Sequence, residues 1–287
     1  MKLKKTSNRI DRISWYYIIL RIGIIAIIIF TLAPILWQVL TSIKTNEDIA
    51  AIPNVYLPHK ITLQHYLELF ERRPFWLYII NSALVSIIST ILCLIIGSPA
   101  AYALARMKLR GETIILVLVA IVTLFPYALL FLGVLEIVKN LGLGNNYLAL
   151  IIPYTAINMP LTILVMRSFF RQLPQDLEDA AKIDGYKTIP MLIDIILPMT
   201  LPALVTTGIL AFIFAWNEYI FALTFITEET MKTIPVATAQ LGGASLFDIP
   251  YGLIAAATIL GTIPLIILVL IFQRRIVQGL TAGAVKG

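Results

Sequence analysis

The sequence predicts an all-α integral membrane protein with six transmembrane helices. The chain of 287 residues is 59% hydrophobic and only 13% charged, which is more apolar surface than a soluble domain of this size can bury. Its mean hydropathy is +0.91. The apolar residues also form six separate runs, each at least as long as the ~20 residues that cross a bilayer as a helix. Lipid must therefore cover most of the chain.

The six apolar runs nearly exhaust the sequence and leave no room for a soluble catalytic domain. They are Trp15–Leu40, Leu77–Leu104, Ile114–Val138, Tyr147–Phe169, Ile195–Phe225 and Tyr251–Phe272. The third run contains Pro126, the fourth contains Pro153 and Pro160, and the sixth contains Pro264. A proline at membrane depth frees a backbone carbonyl that a neighbour or a water-lined cavity must satisfy. Two interpretations stay open, a packing kink and a pathway wall that moves.

The distribution of basic residues predicts the orientation of these helices. Fifteen of the 22 Lys and Arg residues fall before the first run, after the last run, or within Arg106–Arg110 and Arg167–Lys187. The more positive side of a membrane protein is cytoplasmic. We therefore expect a multi-pass protein of the cell (inner) membrane with both termini in the cytoplasm, including residues 1–14. The net charge of +6 reflects this topology, and no nucleic-acid partner is expected.

Two segments are predicted to form the main external connections. Ile43–Trp76 contains three prolines and both histidines, His59 and His65, and should be a loop with short helical pieces. We expect both histidines to be solvent-exposed rather than metal ligands, because no cysteine lies near them. Asn140–Asn146 holds several turn formers and should be a tight turn.

The fifth run contains a polar cluster, Trp216-Asn217-Glu218-Tyr219. A carboxylate at membrane depth usually faces a bundle interior or water, and it is a candidate functional group. Glu218 could equally mark the outer end of the helix, with the two aromatic residues in the interfacial belt. Asn81, Thr155 and Asn158 are further polar groups at this depth, where hydrogen bonding between helices is the simpler role.

The segment between the fourth and fifth runs, Gln172–Gly185, has residues typical of the start and the end of a short helix. Pro174 suits its first position, the acidic residues after it suit the positive end of the helix dipole, and Gly185 suits its termination. One face is small or apolar and the rest is charged. A helix that lies on lipid usually has large apolar residues and a basic polar face. A helix that docks a partner and a structural loop both remain possible.

Here the sequence resembles a known family. Asp179-Ala180-Ala181, then Gly185, Ile195 and Leu197-Pro198 reproduce the residue types and both gaps of the signature loop of ABC-importer permeases. One departure is that Asp179 stands where the family usually has Glu. Ala215-Trp216-Asn217-Glu218 and the C-terminal residues 273–287 narrow the resemblance to the carbohydrate-uptake branch that includes maltose and trehalose permeases of the MalG or SugB type.

The resemblance implies a type I importer permease fold over residues 15–276, a coupling helix at 174–186 and a tail at 277–287 that contacts the ATPase. The implied ATPase-coupling residues are Glu178, Asp179, Ala180, Ala181, Asp184, Gly185, Leu197 and Pro198. The implied tail contacts are Gly279, Leu280, Thr281, Gly283, Lys286 and Gly287. The candidate substrate-pathway residues are Tyr127, Asn158, Trp216, Asn217, Glu218 and Tyr219.

The resemblance also implies the partners and the mechanism. A homologous second permease, two ATP-binding cassette subunits and an extracytoplasmic solute-binding protein would assemble with this chain in membrane lipid. The chain has no G-x-x-x-x-G-K-[ST] phosphate loop, so ATP and magnesium are expected on the partner ATPase and no cofactor or metal on this chain. It is expected to be a translocation subunit without catalytic residues. The external loops Ile43–Trp76 and Thr227–Pro250 would meet the binding protein.

Three alternatives remain. A secondary transporter should show paired ionisable groups at the midplane or inverted repeats, and a membrane enzyme should show a nucleophile, metal or acid-base cluster; the sequence has neither pattern. An ABC importer for a non-sugar solute would share the same signature. A disaccharide such as trehalose or maltose is the expected substrate, but the sequence does not identify the sugar or tell which of the two permeases contacts it.

Overall fold

The computed structural model describes residues 7–242 and 249–284, with side chains described over 15–242 and 249–273. Within these ranges the regular structure is entirely helical, which confirms the predicted fold class. Four helices are long and apolar enough to cross a bilayer, and two bent pairs reach that length when each pair counts as one span. Counted in this way, the spans number six, as predicted.

The chain divides into two compact units, of which the first comprises Met1–Glu71 and Leu241–Ile259. It contains α1 (Ser7–Ile43), α2 (Asn46–Ala50), α3 (Gln64–Arg72) and the start of the last helix (Tyr251–Ala284). Every side chain of α1 from residue 15 to residue 39 is exposed. An apolar helix exposed all round requires lipid or another protein as its cover.

The short helices α2 and α3 are the expected helical pieces of Ile43–Trp76, the predicted external loop. The prediction for His65 is wrong, because this side chain is buried and its Nε2 lies 2.9 Å from the Lys44 carbonyl oxygen. His65 and Leu69 are four residues apart, so they share the face that α3 turns inward. His59 is exposed, as expected, and its ring contacts the Asp48 carboxylate at 2.7 Å.

The second unit comprises Arg72–Gln240 and Leu260–Gly287. Its helices are α4 (Phe75–Arg106), α5 (Glu112–Leu124), α6 (Phe131–Asn140), α7 (Leu148–Gln172), α8 (Gln175–Ile183), α9 (Thr188–Met191), α10 (Leu197–Met199), α11 (Leu201–Asn217), α12 (Ile220–Phe225), α13 (Ile234–Ala239) and the greater part of α14 (Tyr251–Ala284). The unbroken helices α4 and α7 pack along each other and against α11. One buried apolar cluster includes Tyr154 and Phe221, and a second includes Met166 and Ala181.

Two of the predicted spans are broken. The helices α5 and α6 meet at 92° through a 3₁₀ turn at Tyr127–Leu130. Pro126 precedes that turn in extended conformation and lacks the N–H that a continuous helix needs. The fifth run bends by 84° at Thr200, between α10 and α11, where Pro198 and Pro202 flank the break. Each of these two runs therefore forms helices joined at a sharp bend beside prolines.

The fifth run is interrupted a second time, at Glu218–Tyr219, so that α11 ends at Asn217 and α12 begins at Ile220. Pro153 and Pro160, by contrast, lie inside the continuous helix α7, and Pro264 lies inside α14. The predicted turn at Asn140–Asn146 is present. Gly142 and Asn145 both have positive φ there, and the Asn145 side chain accepts hydrogen bonds from the backbone of Thr227 and Glu228.

Candidate functional site

The segment singled out as a coupling helix forms α8, at Gln175–Ile183. It is shorter than the predicted 174–186, because Pro174 occupies the cap position in a non-helical conformation and the helix ends at Ile183, before Gly185. At the other end Gly185 adopts φ +86°. Its N–H donates to the Lys182 carbonyl at 3.0 Å, and the Tyr186 N–H donates to the Ala181 carbonyl at 2.9 Å. This pair of bonds is a Schellman termination, which requires the left-handed conformation that glycine favours.

The helix α8 has two different faces. Its outer face and the residues after it are exposed, and they include Asp179, Ala180, Asp184 and Gly185. Ile183 lies there too and is 86% exposed, although it was not among the predicted coupling residues. The signal that could have identified it is an isoleucine among acidic and small residues at the end of the helix. A largely exposed apolar side chain beside small and charged residues is a candidate anchor for a protein partner.

The inner face of α8 packs on the second unit through Ala181 and Glu178, which are only 3% and 6% exposed. The Glu178 Oε1 lies 2.8 Å from Nε of Arg106, the last residue of α4, in an ion pair that is not aligned as a hydrogen bond. The hydroxyl of Tyr102 interacts with the same carboxylate. Glu178 is therefore turned toward its own chain, away from the exposed face.

Arg106 was not among the residues singled out in the sequence. Its Nη2 donates to the carbonyl of Leu173, where α7 ends, at 2.5 Å. A second arginine, Arg167, donates from Nε to the Leu104 carbonyl at 3.1 Å and from Nη2 to Glu112 at 2.5 Å. These two guanidinium groups tie together the adjacent ends of α4, α5, α7 and α8.

The second half of the signature loop lies outside α8. Leu197 and Pro198 form the short helix α10, which follows a π-helical turn at Leu192–Ile196 and precedes the bend at Thr200. Leu197 is partly buried against the same apolar cluster as Ala181, whereas Pro198 is exposed. The structure thus divides the signature between a surface helix and the entry of a bent span.

At the break between α11 and α12, Glu218 is 3% exposed and acts as a cap. Its carboxylate accepts hydrogen bonds from the Tyr154 hydroxyl at 2.5 Å and from the backbone N–H groups of Phe221 and Ala222 at 3.0 and 3.2 Å. The first N–H groups of a helix have no partner within it and attract negative charge. Glu218 thus satisfies the start of α12, a role that neither earlier interpretation of this carboxylate included.

The neighbours of Glu218 alternate between buried and exposed. Trp216 is 3% exposed and donates from Nε1 to the Gly261 carbonyl at 3.0 Å. Asn217 and Tyr219 are exposed. Among the other pathway candidates, Asn158 is buried and donates to the Tyr154 carbonyl, and Tyr127 is half-buried with its ring edge-on to Phe214 and Phe221.

The two remaining polar groups at membrane depth join helices to neighbouring segments. Thr155 of α7 contacts the Ser89 carbonyl of α4 at 3.3 Å, as the prediction of interhelical hydrogen bonds requires. Asn81 donates to the carbonyls of Thr230 and Lys232 and accepts from the Tyr147 hydroxyl. Asn81 therefore fixes the segment after α12 to α4 and α7.

A charged network holds that same segment at the predicted external side. Glu229 accepts from Arg73 at 2.8 Å, from the Tyr78 hydroxyl at 2.6 Å and from Lys232. Burial alone would raise the pKa of Glu229, but the hydrogen bonds from Lys232, Tyr78 and Arg73 outweigh it and lower the pKa to about 2. The carboxylate is therefore charged at neutral pH and restrains the loop.

The tail residues fall at the edge of what is described. Gly279, Leu280, Thr281 and Gly283 lie on the backbone of α14 beyond the last described side chain, and Lys286 and Gly287 lie outside the described residues. In the described part of the chain no group of three or more His, Cys, Asp or Glu residues is placed to hold a metal ion.

Comparison with solved structures identifies the fold. A bacterial ABC transporter involved in the import of the acidic polysaccharide alginate matches with a TM-score of 0.77 over 96% of this chain and 99% of that chain, at 24% identity. The methionine ABC transporter MetNI in an inward-facing conformation matches with a TM-score of 0.56 over 75% of this chain and 97% of that chain, at 15% identity. The fold is therefore that of an ABC importer permease.

Comparison with known sequences identifies the family. The chain is 41% identical to the sulfoquinovosyl glycerol transport system permease protein SmoH of Agrobacterium fabrum, over 89% of both proteins. It is 39% identical to the trehalose transport system permease protein SugB of Mycobacterium tuberculosis, over 90% of this chain and 93% of the relative. It is also 39% identical to the trehalose/maltose transport system permease protein MalG of Thermococcus litoralis, over 94% of this chain and 97% of the relative.

The family model for the inner membrane component of binding-protein-dependent transport systems matches residues 93–282, which include α8, the bend at Thr200 and the Glu218 break. With its multi-pass helical fold and these relatives, the chain belongs to the family of binding-protein-dependent transport system inner membrane components, the permease subunits of ABC importers.

Proposed function

We propose that this chain is the translocation subunit of an ATP-driven importer for a sugar, in which it pairs with a second permease, two ATPase subunits and an external solute-binding protein. The relatives named for sulfoquinovosyl glycerol, trehalose and maltose support a glycoside or disaccharide as the substrate class. ATP and magnesium would bind the partner ATPase. The observation that carries the proposal is the exposed outer face of α8, held on the permease by a buried inner face.

The outer face of α8 has the properties of a docking surface for the ATPase. Ala180 and Gly185 are exposed and small, so a partner can approach the backbone closely. Ile183, which lies between them in the sequence, is also exposed, and Asp179 and Asp184 add negative charge. We infer that this face binds an apolar cleft with a basic rim on the surface of the ATPase. The opposite charges would orient the partner, and the apolar side chain of Ile183 would supply affinity.

The C-terminal tail is the second proposed ATPase contact. Residues 277–287 follow the sixth span on the predicted cytoplasmic side and are rich in glycine and alanine. Lys286 is the one basic residue in this tail and would approach an acidic surface. This assignment depends on the family resemblance.

In the membrane, we assign the exposed Asn217 and Tyr219 to the wall of the sugar pathway. An amide and a phenol provide the hydrogen bonds and the ring face that a sugar requires. The buried Trp216 and Glu218 would hold this stretch of backbone in place. Trp216 does so through its bond to the Gly261 carbonyl, and Glu218 through its bond to the start of α12. Tyr127 and Asn158 would support the pathway indirectly.

Co-purification of the chain with its ATPase in mild detergent tests the proposal, with Gly185→Asp as the main variant. Gly185 has φ +86° and open space beside it, so the substitution strains the end of α8 and adds a carboxylate beside Asp184. We expect the recovered ATPase to fall by about tenfold or more, the ratio that ~1.4 kcal/mol produces. Truncation after Gln278 should reduce ATP hydrolysis stimulated by the solute-binding protein.

The matched control is Gly142→Asp in the predicted external turn, where the glycine also has positive φ and open space beside it. This variant should retain the ATPase, and equal loss in both variants would mean that strained glycines disturb folding in general. A wild-type chain that binds no ATPase, or transports without ATP, would make the secondary-transporter alternative correct.

Uptake of labelled trehalose and maltose into proteoliposomes tests whether the substrate is a sugar. Transport of only non-sugar solutes would contradict the proposed substrate class.

A further inference from the structure

The junction of α4, α7 and α8 contains two charged groups that the docking surface leaves unused. Arg106 and Glu178 have side chains that are each only 9% exposed, and they are paired at 2.8 Å. Charges seldom occupy a protein interior unless a partner compensates them. The exposed outer face of α8 needs neither group, so the pair has a role within the permease itself.

The guanidinium of Arg106 lies where three helices meet. It belongs to the last residue of α4, it donates to the carbonyl of Leu173 at the end of α7, and it pairs with Glu178 in the first turn of α8. Tyr102, one turn back on α4, interacts with the same carboxylate. One side chain therefore joins the two unbroken spans α4 and α7 to the surface helix.

Such a junction resists displacement of α8 relative to α4. Sliding the helix by a few ångströms would separate the two charges in a poorly solvated site, where each would lose its partner without regaining water. Ala181, one turn after Glu178, is buried in the same apolar cluster as Met166 and Phe170 of α7. Packed interiors transmit displacement because they are close-packed and have low compressibility.

We propose that the buried Arg106–Glu178 pair is a positioning device that makes α8 move as one body with the cytoplasmic ends of α4 and α7. This inference rests on the proposed function, because the displacement it transmits comes from the docked ATPase. The outer face of α8 binds the ATPase, and the inner pair converts its movement into rearrangement of the spans. Loss of the pair therefore separates docking from transport.

The test uses the complete transporter in proteoliposomes and measures solute transported per ATP hydrolysed, together with recovery of the ATPase in co-purification. Glu178→Gln keeps the side-chain shape and removes the charge. We expect ATPase recovery within about twofold of wild type, whereas transport per ATP falls at least about fivefold. The exchange Arg106→Glu with Glu178→Arg restores the opposite charges and should recover at least half of the lost coupling.

The matched control is Glu136→Gln, the same substitution at an exposed glutamate of α6 that lies outside every proposed docking surface. An exposed charge away from such surfaces contributes little, so transport per ATP should stay at the wild-type value. If Glu178→Gln leaves transport per ATP unchanged, or the exchange variant recovers nothing, the inference is wrong. A wild-type complex without ATPase would instead contradict the proposed function.

A second measurement stands independently of how the variants fold. Spin labels at Lys108→Cys and Gln175→Cys, with the buried Cys93 replaced by Ser, report the distance between the segment after α4 and the start of α8. We expect this distance to be the same, within about 2 Å, in the nucleotide-free and ATP-bound states. A change of about 5 Å or more, nearly one helical turn, would overturn the single-body claim.

Discussion

Glu178 and Glu218 are two buried carboxylates that the same chain stabilises in opposite ways. Glu178 lies on the surface helix α8 and pairs with a full positive charge, Arg106. Glu218 lies at a break in a membrane span and is satisfied by a hydroxyl and two backbone N–H groups. In the first arrangement a guanidinium compensates the carboxylate, and in the second three neutral hydrogen-bond donors share the stabilisation of the carboxylate.

The difference teaches what each carboxylate can do. An ion pair joins two separate helices, so it fixes their relative position and depends on both partners. The Glu218 bonds to Phe221 and Ala222 are local, three and four residues along the chain, and they stabilise a half-helix that begins inside the membrane. Glu178 therefore restricts movement of one helix relative to another, whereas Glu218 stabilises the local backbone shape of one span.

The largest expected effect comes from removing one half of the charged pair. Glu178→Ala removes the charged partner of the buried Arg106 guanidinium and should destabilise the permease by about 3–5 kcal/mol. The double variant Arg106→Met with Glu178→Met removes both charges and should lie within about 1 kcal/mol of wild type. Equilibrium unfolding in mixed micelles measures both values. A double variant as unstable as Glu178→Ala would contradict the charge argument.

The Glu218 site should respond less steeply and should not be rescued by an opposite charge. Tyr154→Phe removes one hydrogen bond to the carboxylate, and Glu218→Gln places an amide N–H₂ among donors. We expect each to cost about 1–3 kcal/mol in the same unfolding measurement. The matched control is Asn217→Ala, the exposed neighbour, which should change stability by at most about 0.5 kcal/mol. If Asn217→Ala lowers the free energy of unfolding as much as Glu218→Gln does, Glu218 has no special role as the cap of α12, and its separation from the exposed Asn217 is wrong.

These two sites also show how far sequence reasoning reaches. Six runs of sufficient length identified the fold class, and Pro174 and Gly185 located α8 to within one residue at its start and three at its end, because hydrophobicity and backbone conformation are local properties. Arg106 stood at the end of an apolar run, where a basic residue also fits the positive-inside rule. Its pairing with Glu178 depends on how α4 and α8 are rotated, and that rotation is set by tertiary packing.

The same limitation explains His65 and Glu218. His65 lies in a polar, proline-rich segment, and only the helix α3 gives it an inward face shared with Leu69. The cost of a carboxylate at membrane depth was evident from the sequence, but the break that supplies two N–H donors was not. An apolar run carries no periodicity from which its interior-facing side can be read.

The smallest expected effect lies at the predicted external side, where Glu229 shares features of both sites, with two basic partners and a tyrosine hydroxyl. Its pKa falls from 4.5 to about 2 on folding, so it contributes stability that is complete above pH 4.5, declines as the pH falls below 4.5, and is gone below about pH 2. The side chain is 43% exposed, and solvent screening limits the contribution to about 1 kcal/mol or less. Glu229→Gln should therefore lower the unfolding midpoint slightly at pH 7 and progressively less toward pH 3. A difference from wild type that grows as the pH falls would show that the carboxylate strains the loop instead of restraining it.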